Sequence, residues 1–553
     1  MPPGPILPFL LCALAAADRP RPKTVPEATG HARTSTVAEV AAFMEALRER
    51  DPALVPYQPK GAPMATEAGA PLRAWRLPAT TKDALRVYVN ANIHAGEVEG
   101  KEAIQEIVRE LLQGLHPEVR RHVDLVVCPA YNADGTDGLD PAIRRHQPNP
   151  ASGVGRRENA RGLDLNRDLM KAQAANTRWF LAMLKDFDPA AVFDLHTTNG
   201  SYHGFHLTYS PSLALGADEG LLAFNRQLLV EVREILKKEA LPTYDYGNFA
   251  PEERGGGAWA PGRADTQPER WETFDALPRY LSNYPGLQGR LGILCEEYVY
   301  RAYPDRIADM RRFVTACLER IAARRAEVRA VVAAAAKLPT RLPLAAEMKE
   351  TERYAFDLVD PEKDAQGRVV REKSRRTVTL PSFVTFAGKD FQDLPEGYLV
   401  DAAFADRVRP VLEAHGLAVL AGSQRPKAPI LHFKESGRTL AKQPFQGVWS
   451  LDLQGAWTAE VPSKPRLLPW DAKALDAALY VPLKQRHGRV AFYLLDPRSP
   501  DGLVHWGFFP EVLLRNDGSW GDPPRFPVVA VGGAGTGVAP GRPEAKGELN
   551  KPE

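Results

Sequence analysis

Residues 84–97 read ALRVYVNANIHAGE, and the reading of the fold starts there. Up to Ile93 the run is rich in β-branched and aromatic residues, which is strand chemistry. Directly after it stand His94 and Glu97, two side chains able to bind a metal or move a proton. The next segment, KEAIQEIVRELLQGL (101–115), is an amphipathic helix by its apolar spacing. DLVVCPAYN (124–132) is again strand-like and ends in the turn residues NADGTDG (132–138). The alternation continues with a helix in NTRWFLAMLKDF, a strand in AAVFDLH (190–196), a helix over 219–240 and a strand in RLGILCEE (290–297). One long helix is expected from about Asp305 to Lys337. Strands alternating with helices imply an α/β fold with a mixed, largely parallel sheet flanked by helices. Short apolar runs such as GILC fit strands buried on both faces. Upstream, Thr36 and Glu39 have the spacing of a capping box. Val37, Val40, Phe43, Met44 and Leu47 follow at helical spacing.

After Pro339 the texture changes. YAFDLVD, RRTVTLPSFVTFAG, GYLVDAAF, RVAFYLLD and LVHWGFF are short β-like runs separated by Pro, Gly and Asp, with one helix in ADRVRPVLEAHG. A smaller C-terminal α+β or β-rich domain is expected over 345–530, behind a first domain over 35–338, with a disordered Gly/Pro-rich tail over 531–553. Residues 1–17 resemble a signal peptide: an apolar run, Ile6 to Ala17, ends in small residues, and export to the periplasm or outside the cell is expected. The 553 residues carry 71 basic and 69 acidic side chains, a balance that gives no support for nucleic-acid binding. No apolar run is long enough for a membrane span. Four Cys exclude a disulfide-rich scaffold, and Cys128 and Cys295 sit in apolar runs as buried thiols would.

The chemistry gathers at strand ends. His94 and Glu97 close one strand, His196 a second, and Glu296 and Glu297 a third. Ligand sites in open α/β sheets collect at the C-terminal ends of strands. Two His and one Glu form a hydrolytic zinc set with one open position. Zinc lowers the pKa of bound water and polarises a carbonyl, and a further carboxylate is then needed as general base. The segment RENARGLDLNRD (157–168) adds Arg157, Asn166 and Arg167, planar donors that match a substrate carboxylate.

With these motifs together, the chain resembles the zinc metallocarboxypeptidases of the carboxypeptidase A type (M14-like metallopeptidases) over roughly residues 35–335. The resemblance rests on HAGE (94–97), RENARGLDLNRD (157–168), FDLHTTNG (193–200) and LGILCEEY (291–298), in that order and spacing. It implies His94, Glu97 and His196 as ligands of one zinc ion per chain. It implies Asn166 and Arg167 on the substrate's terminal carboxylate, Arg157 on the oxyanion, and Asp164 as the outer partner of a ligating His. Periodicity alone cannot choose between Glu296 and Glu297, which point to opposite faces of a strand. The family's apolar run followed at once by the catalytic Glu aligns Glu296. The family also has a mobile Tyr over the substrate, for which Tyr284 is the candidate and Tyr280 the neighbour. His203 and His206 are candidates for the pocket lining, and the segment 253–271 for a loop over the site.

The leading expectation is a zinc exopeptidase acting on peptides with a free C-terminal carboxylate. A zinc amidase or deacylase on the same fold, acting on peptidoglycan peptides or acylated amino acids, is the alternative in chemistry. A peptide-binding protein without turnover is the alternative of another class, and the filled catalytic positions argue against it.

Overall fold

The computed structural model describes residues 21–198, 200–250, 268–460, 470–509 and 526–533. The expected signal peptide and nearly all of the expected tail lie outside them.

Helix α1 (Val37–Arg48) starts at the capping box: Thr36 N donates to Glu39 Oε2 at 2.9 Å, and Glu39 N to Thr36 Oγ1 at 3.2 Å. Its five periodic apolar residues are all buried. Strands β1 (Val55–Tyr57), β2 (Ala74–Leu77) and β3 (Leu85–Ala91) lead to helix α2 (Glu99–Leu112) and strand β4 (Val123–Cys128). Helix α3 (Ala175–Asp186), strands β5 (Ala191–Thr198) and β6 (Leu207–Pro211), helix α4 (Glu219–Lys238), and short strands β7 (Thr243–Asp245), β8 (Asn248–Ala250) and β9 (Arg270–Glu272) follow. Strand β10 (Leu291–Tyr298) precedes helices α5 (Tyr303–Ala323) and α6 (Arg325–Ala335). The one long helix expected here is therefore two, parted at Arg324, whose backbone leaves the helical region.

Eight strands form the main sheet in the order β1-β2-β4-β3-β5-β10-β6-β7. Its centre, β4-β3-β5-β10, is parallel, and β1, β2 and β6 pair antiparallel to their inner neighbours. This is the mixed, helix-flanked α/β sheet expected. The central strands are buried on both faces by strict alternation. Val87, Val89, Leu125, Val127 and Phe193 join the core under α2, α4 and α5. Tyr88, Val126 and Val192 join the opposite core, with Trp179 and Phe180 of α3.

That second core continues into the C-terminal region. A hairpin of two long strands, β11 (Arg341–Lys363) and β12 (Val369–Asp393), extends a four-stranded sheet with β9 and β8. A six-stranded sheet then forms from β13 (Gly397–Val400), β14 (Leu420–Ala421), β15 (Ile430–Leu440), β16 (Leu451–Thr458), β17 (Leu479–Pro482) and β18 (Val528–Val531). Helices α7 (Ala405–Ala414) and α8 (Gly488–Leu495) pack against it. Helix α8 corrects the strand expected in RVAFYLLD, and LVHWGFF forms turns rather than a strand. Cys128, Cys295 and Cys317 are buried free thiols. No described helix is long and apolar enough to cross a membrane.

Candidate metal and catalytic centre

Three strand ends bring the chemistry together. After β3 the chain bends at Asn92, whose φ of 63° is one that non-glycine residues seldom adopt. The Asn92 amide holds this bend by donating to the carbonyls of His94 (3.4 Å) and Glu97 (3.0 Å). A tight turn, with Glu97 N donating to His94 O at 3.0 Å, aims both side chains the same way. Strand β5 supplies His196 beside them. Ligand atoms of His94, Glu97 and His196 all lie within 4.8 Å of one another, and all three residues are buried. The two imidazoles stand 4.9 Å apart. Their Nδ1 atoms face Glu97, at 3.1 Å for His94 and 2.7 Å for His196.

Each imidazole is held from behind. His94 Nε2 meets Asp164 Oδ1 at 3.1 Å, and His196 Nε2 meets Asp194 Oδ2 at 2.8 Å. A carboxylate on the far nitrogen fixes the tautomer and orientation of a ligating His. Two imidazoles and a carboxylate converging with such outer partners suit zinc. Burial opposes ionisation of Glu97, but His94, Arg144 and His196 outweigh it and hold its carboxyl well below the usual range. Burial likewise opposes the charge on His196, yet Asp194 and Glu97 raise its pKa well above normal.

Glu296 stands directly beside His196: the two are register partners in the parallel pair β5/β10. Opposed residues of neighbouring strands share a face of the sheet. Glu296 therefore faces the triad, and Glu297, paired with Thr197, faces the opposite core. Burial, with Glu97 and Asp194 nearby, pushes the Glu296 carboxyl up to about 8, against the pull of His196 and Arg144. Glu297 is 0% exposed, and neither of its oxygens has a hydrogen-bond partner. Burial, then Asp309 and Glu99, raises its pKa well above the carboxylate range.

The loop 157–168 lines one side. Asp164 is the hub: it accepts a fork from Arg157 (3.0 and 2.7 Å) and the backbone N–H of Asn166 (2.9 Å). Another nitrogen of Arg157 lies 3.3 Å from His94 Nδ1, next to the ligand set. Asn166 is tied on both ends of its amide. Its oxygen accepts from Leu281 N at 2.8 Å, and its nitrogen lies 3.4 Å from His196 Nε2. Arg167 lies over the Tyr280 ring at 4.5 Å. Tyr284 is placed elsewhere, which corrects its expected role over the substrate. It is 0% exposed, and its hydroxyl meets His415 Nδ1 at 2.5 Å in the core shared with the C-terminal region. His203 is buried among aromatic rings, and burial lowers its pKa to about 3. His206 pairs with Asp309 at 3.5 Å. Neither is a ligand. The expected loop 253–271 lies largely outside the described residues.

Three residues were not anticipated. Arg144 donates to Glu97 Oε1 at 2.6 Å. Its loop carries no motif, and only the fold brings it near. Asp194, two residues before His196 on a strand, must share its face, so a period of two does point to it. Tyr246, in a short connection after β7, lies close enough to Glu296, Glu97 and Arg167 for all three to influence its phenol, although burial dominates.

Residues 40–187 match the model of the zinc carboxypeptidase family, Peptidase M14. Over that span the chain is M14-like, similar to peptide hydrolases with a zinc site. The matched span holds His94, Glu97, Arg157, Asp164, Asn166 and Arg167, and ends before His196. No curated protein matches the chain. Similar solved structures include a metallo-carboxypeptidase from Burkholderia cenocepacia, with 16% identity, 53% of this chain and 70% of that chain covered, and a TM-score of 0.38. A metallo-carboxypeptidase from Pseudomonas aeruginosa, in complex with (2-guanidinoethylmercapto)succinic acid, has 18% identity, coverage of 54% and 70%, and a TM-score of 0.36. Carboxypeptidase A from Helicoverpa armigera has 12% identity, coverage of 60% and 81%, and a TM-score of 0.38.

Proposed function

We propose that this protein is a carboxypeptidase that removes residues from peptides with a free C-terminal carboxylate. The observation that carries the reading is the register of Glu296 with His196, which sets a further carboxyl group beside a set of two His and one Glu. His94, Glu97 and His196 would hold zinc, with Asp164 and Asp194 fixing the two rings. Zinc supplies a Lewis acid that polarises a carbonyl and lowers the pKa of water. Glu296 takes the proton from the attacking water and hands it to the leaving amine. Arg157, braced on Asp164 and reaching toward His94, aims its free donors at the oxyanion. Arg167, placed over the Tyr280 ring beside Asn166, presents a planar fork to the terminal carboxylate. The apolar run Ile6 to Ala17 supports an exported enzyme.

A peptide-library digest read by mass spectrometry, with and without a zinc chelator, tests this. Ladders shortened from the C-terminus, and lost with the chelator, are expected. Internal cuts, or equal cleavage of C-terminally amidated peptides, would move the assignment to an endopeptidase or amidase.

A further inference from the structure

The hairpin of β11 and β12 has strands of 23 and 25 residues, several times the usual five or six. Its far half docks beside the catalytic centre in two places. Val359 N donates to Tyr202 O at 3.1 Å, Gly204 N to Asp357 O at 3.2 Å, and Leu358 bridges to His203. These contacts hold the segment that follows His196. At the hairpin's tip Val369 N donates to His146 O at 3.3 Å. That contact holds the loop of Arg144, which reaches Glu97.

Between the two docking points lies a half-open cavity of about 120 Å³. Tyr202, Phe205, Tyr298, Tyr300, Val359 and Val369 line it, together with two imidazoles, of which the buried His203 is held neutral, and four charged side chains. Tyr298 is two residues beyond Glu296 on β10 and so shares its face of the sheet. The rings of Tyr202 and Tyr300 stand 4.6 Å apart, and those of Tyr298 and Tyr300 5.3 Å. The charged side chains of the lining are each paired. Arg371 pairs with Glu362 (2.7 Å), Arg375 with Glu372 (2.7 Å) and Arg301 with Asp309 (3.0 Å). A site of rings and Val with neutralised ions discriminates against charge and takes an apolar group. An apolar cavity of about 150 Å³ holds a benzene ring, so a half-open one of this size suits a side chain from Leu to Phe.

We infer that the hairpin and the strand-end aromatics form a substrate pocket for one apolar or aromatic side chain upstream of the bond that is cut. The inference rests on the carboxypeptidase reading. If the terminal carboxylate lies at Arg167, in the loop 157–168, the rest of the peptide crosses the ligand set and leaves on the side of Arg144 and the hairpin.

The test is a set of peptides sharing their last two residues, with each of the three residues before them varied among Gly, Asp, Leu and Phe. The wild-type protein should prefer Leu or Phe over Gly at one position, by about tenfold or more in kcat/KM, the scale of burying one such side chain. Val369→Trp fills the cavity from the hairpin and should erase that preference while leaving an N-blocked dipeptide cleaved at the wild-type rate. If that variant loses the dipeptide activity, and so the fold, Tyr300→Ala replaces it and should move the optimum from Phe to Trp. Hydrolysis with no upstream preference, or a preference unmoved by both variants, would overturn the pocket and leave the carboxypeptidase reading standing. Absence of hydrolysis of every peptide by the zinc-loaded protein would overturn both.

Discussion

Glu296 and Glu297 are sequence neighbours with opposite fates, set by the two-residue period of β10. Glu296→Gln keeps the shape but removes the base, so turnover should vanish while zinc stays bound. Glu297 is buried without partners and held in its neutral form, for which Gln is a close substitute. Glu297→Gln should leave kcat within a few-fold of wild type. Measuring kcat and bound zinc for both variants checks this; a dead Glu297→Gln beside an active Glu296→Gln would mean the wrong carboxylate is assigned. Arg167 offers a second test at this scale. Amidating the peptide's C-terminus should cost about 1.5–3 kcal/mol of transition-state binding, roughly ten- to a hundred-fold in kcat/KM. Arg167→Ala should lower the rate on the free acid and hardly alter the amide. Independent effects in that double-mutant cycle would mean Arg167 serves only its loop. The ligand set and its flanking donors were legible because each closes a strand or sits in a dense motif. Arg144 and Tyr246 were not, since only the closed fold brings their loops to Glu97 and Glu296.

Among the elements, α2 is unusual in being buried nearly all round, charges included. Glu106 on it lies between α2 and α5, sharing Arg311 with Glu110 at 3.2 and 2.6 Å. Burial, and then Glu27 and Glu110, outweigh Arg311 and raise its pKa to about 7. The unfolded chain releases this proton near 4.5, so between 4.5 and 7 the native state binds more protons and stability falls as pH rises. Glu106→Gln should therefore match wild type near pH 4.5 and be more stable at pH 8, by about 1–3 kcal/mol. Thermal melts at the two pH values check it; equal melting temperatures at pH 8 would refute the raised pKa. Short apolar runs located β3, β4, β5 and β10, the strands buried on both faces, while β1, β2, β6 and β7 carried no such run and were not foreseen. Periodicity failed at α8, where Val490 to Leu495 are all buried and no polar face marks the helical repeat.

On the scale of the whole molecule, the C-terminal region is joined to the side of the centre that carries Arg167. Asp501 accepts from Arg279 N at 2.8 Å and from Trp506 Nε1 at 2.9 Å, and pairs with the Arg279 guanidinium at 2.9 Å. Arg279 lies over Trp506 and adjoins Tyr280, the ring beneath Arg167. Removing one partner of a buried pair costs about 3–5 kcal/mol. Asp501→Ala should destabilise the protein on that scale and raise KM for free-acid peptides; denaturation and steady-state kinetics measure the two effects. Little of this was legible beforehand, because the C-terminal runs name no motif and their partners lie over two hundred residues away. The central claim remains the zinc centre built by His94, Glu97 and His196. Its most direct test is the zinc content of the purified, dialysed protein and of His196→Ala, measured by mass spectrometry of the metal. One zinc per chain in the wild type, lost in the folded variant together with peptide hydrolysis, is the expected result. No zinc in an active wild type, or the same zinc content in both proteins, would contradict it.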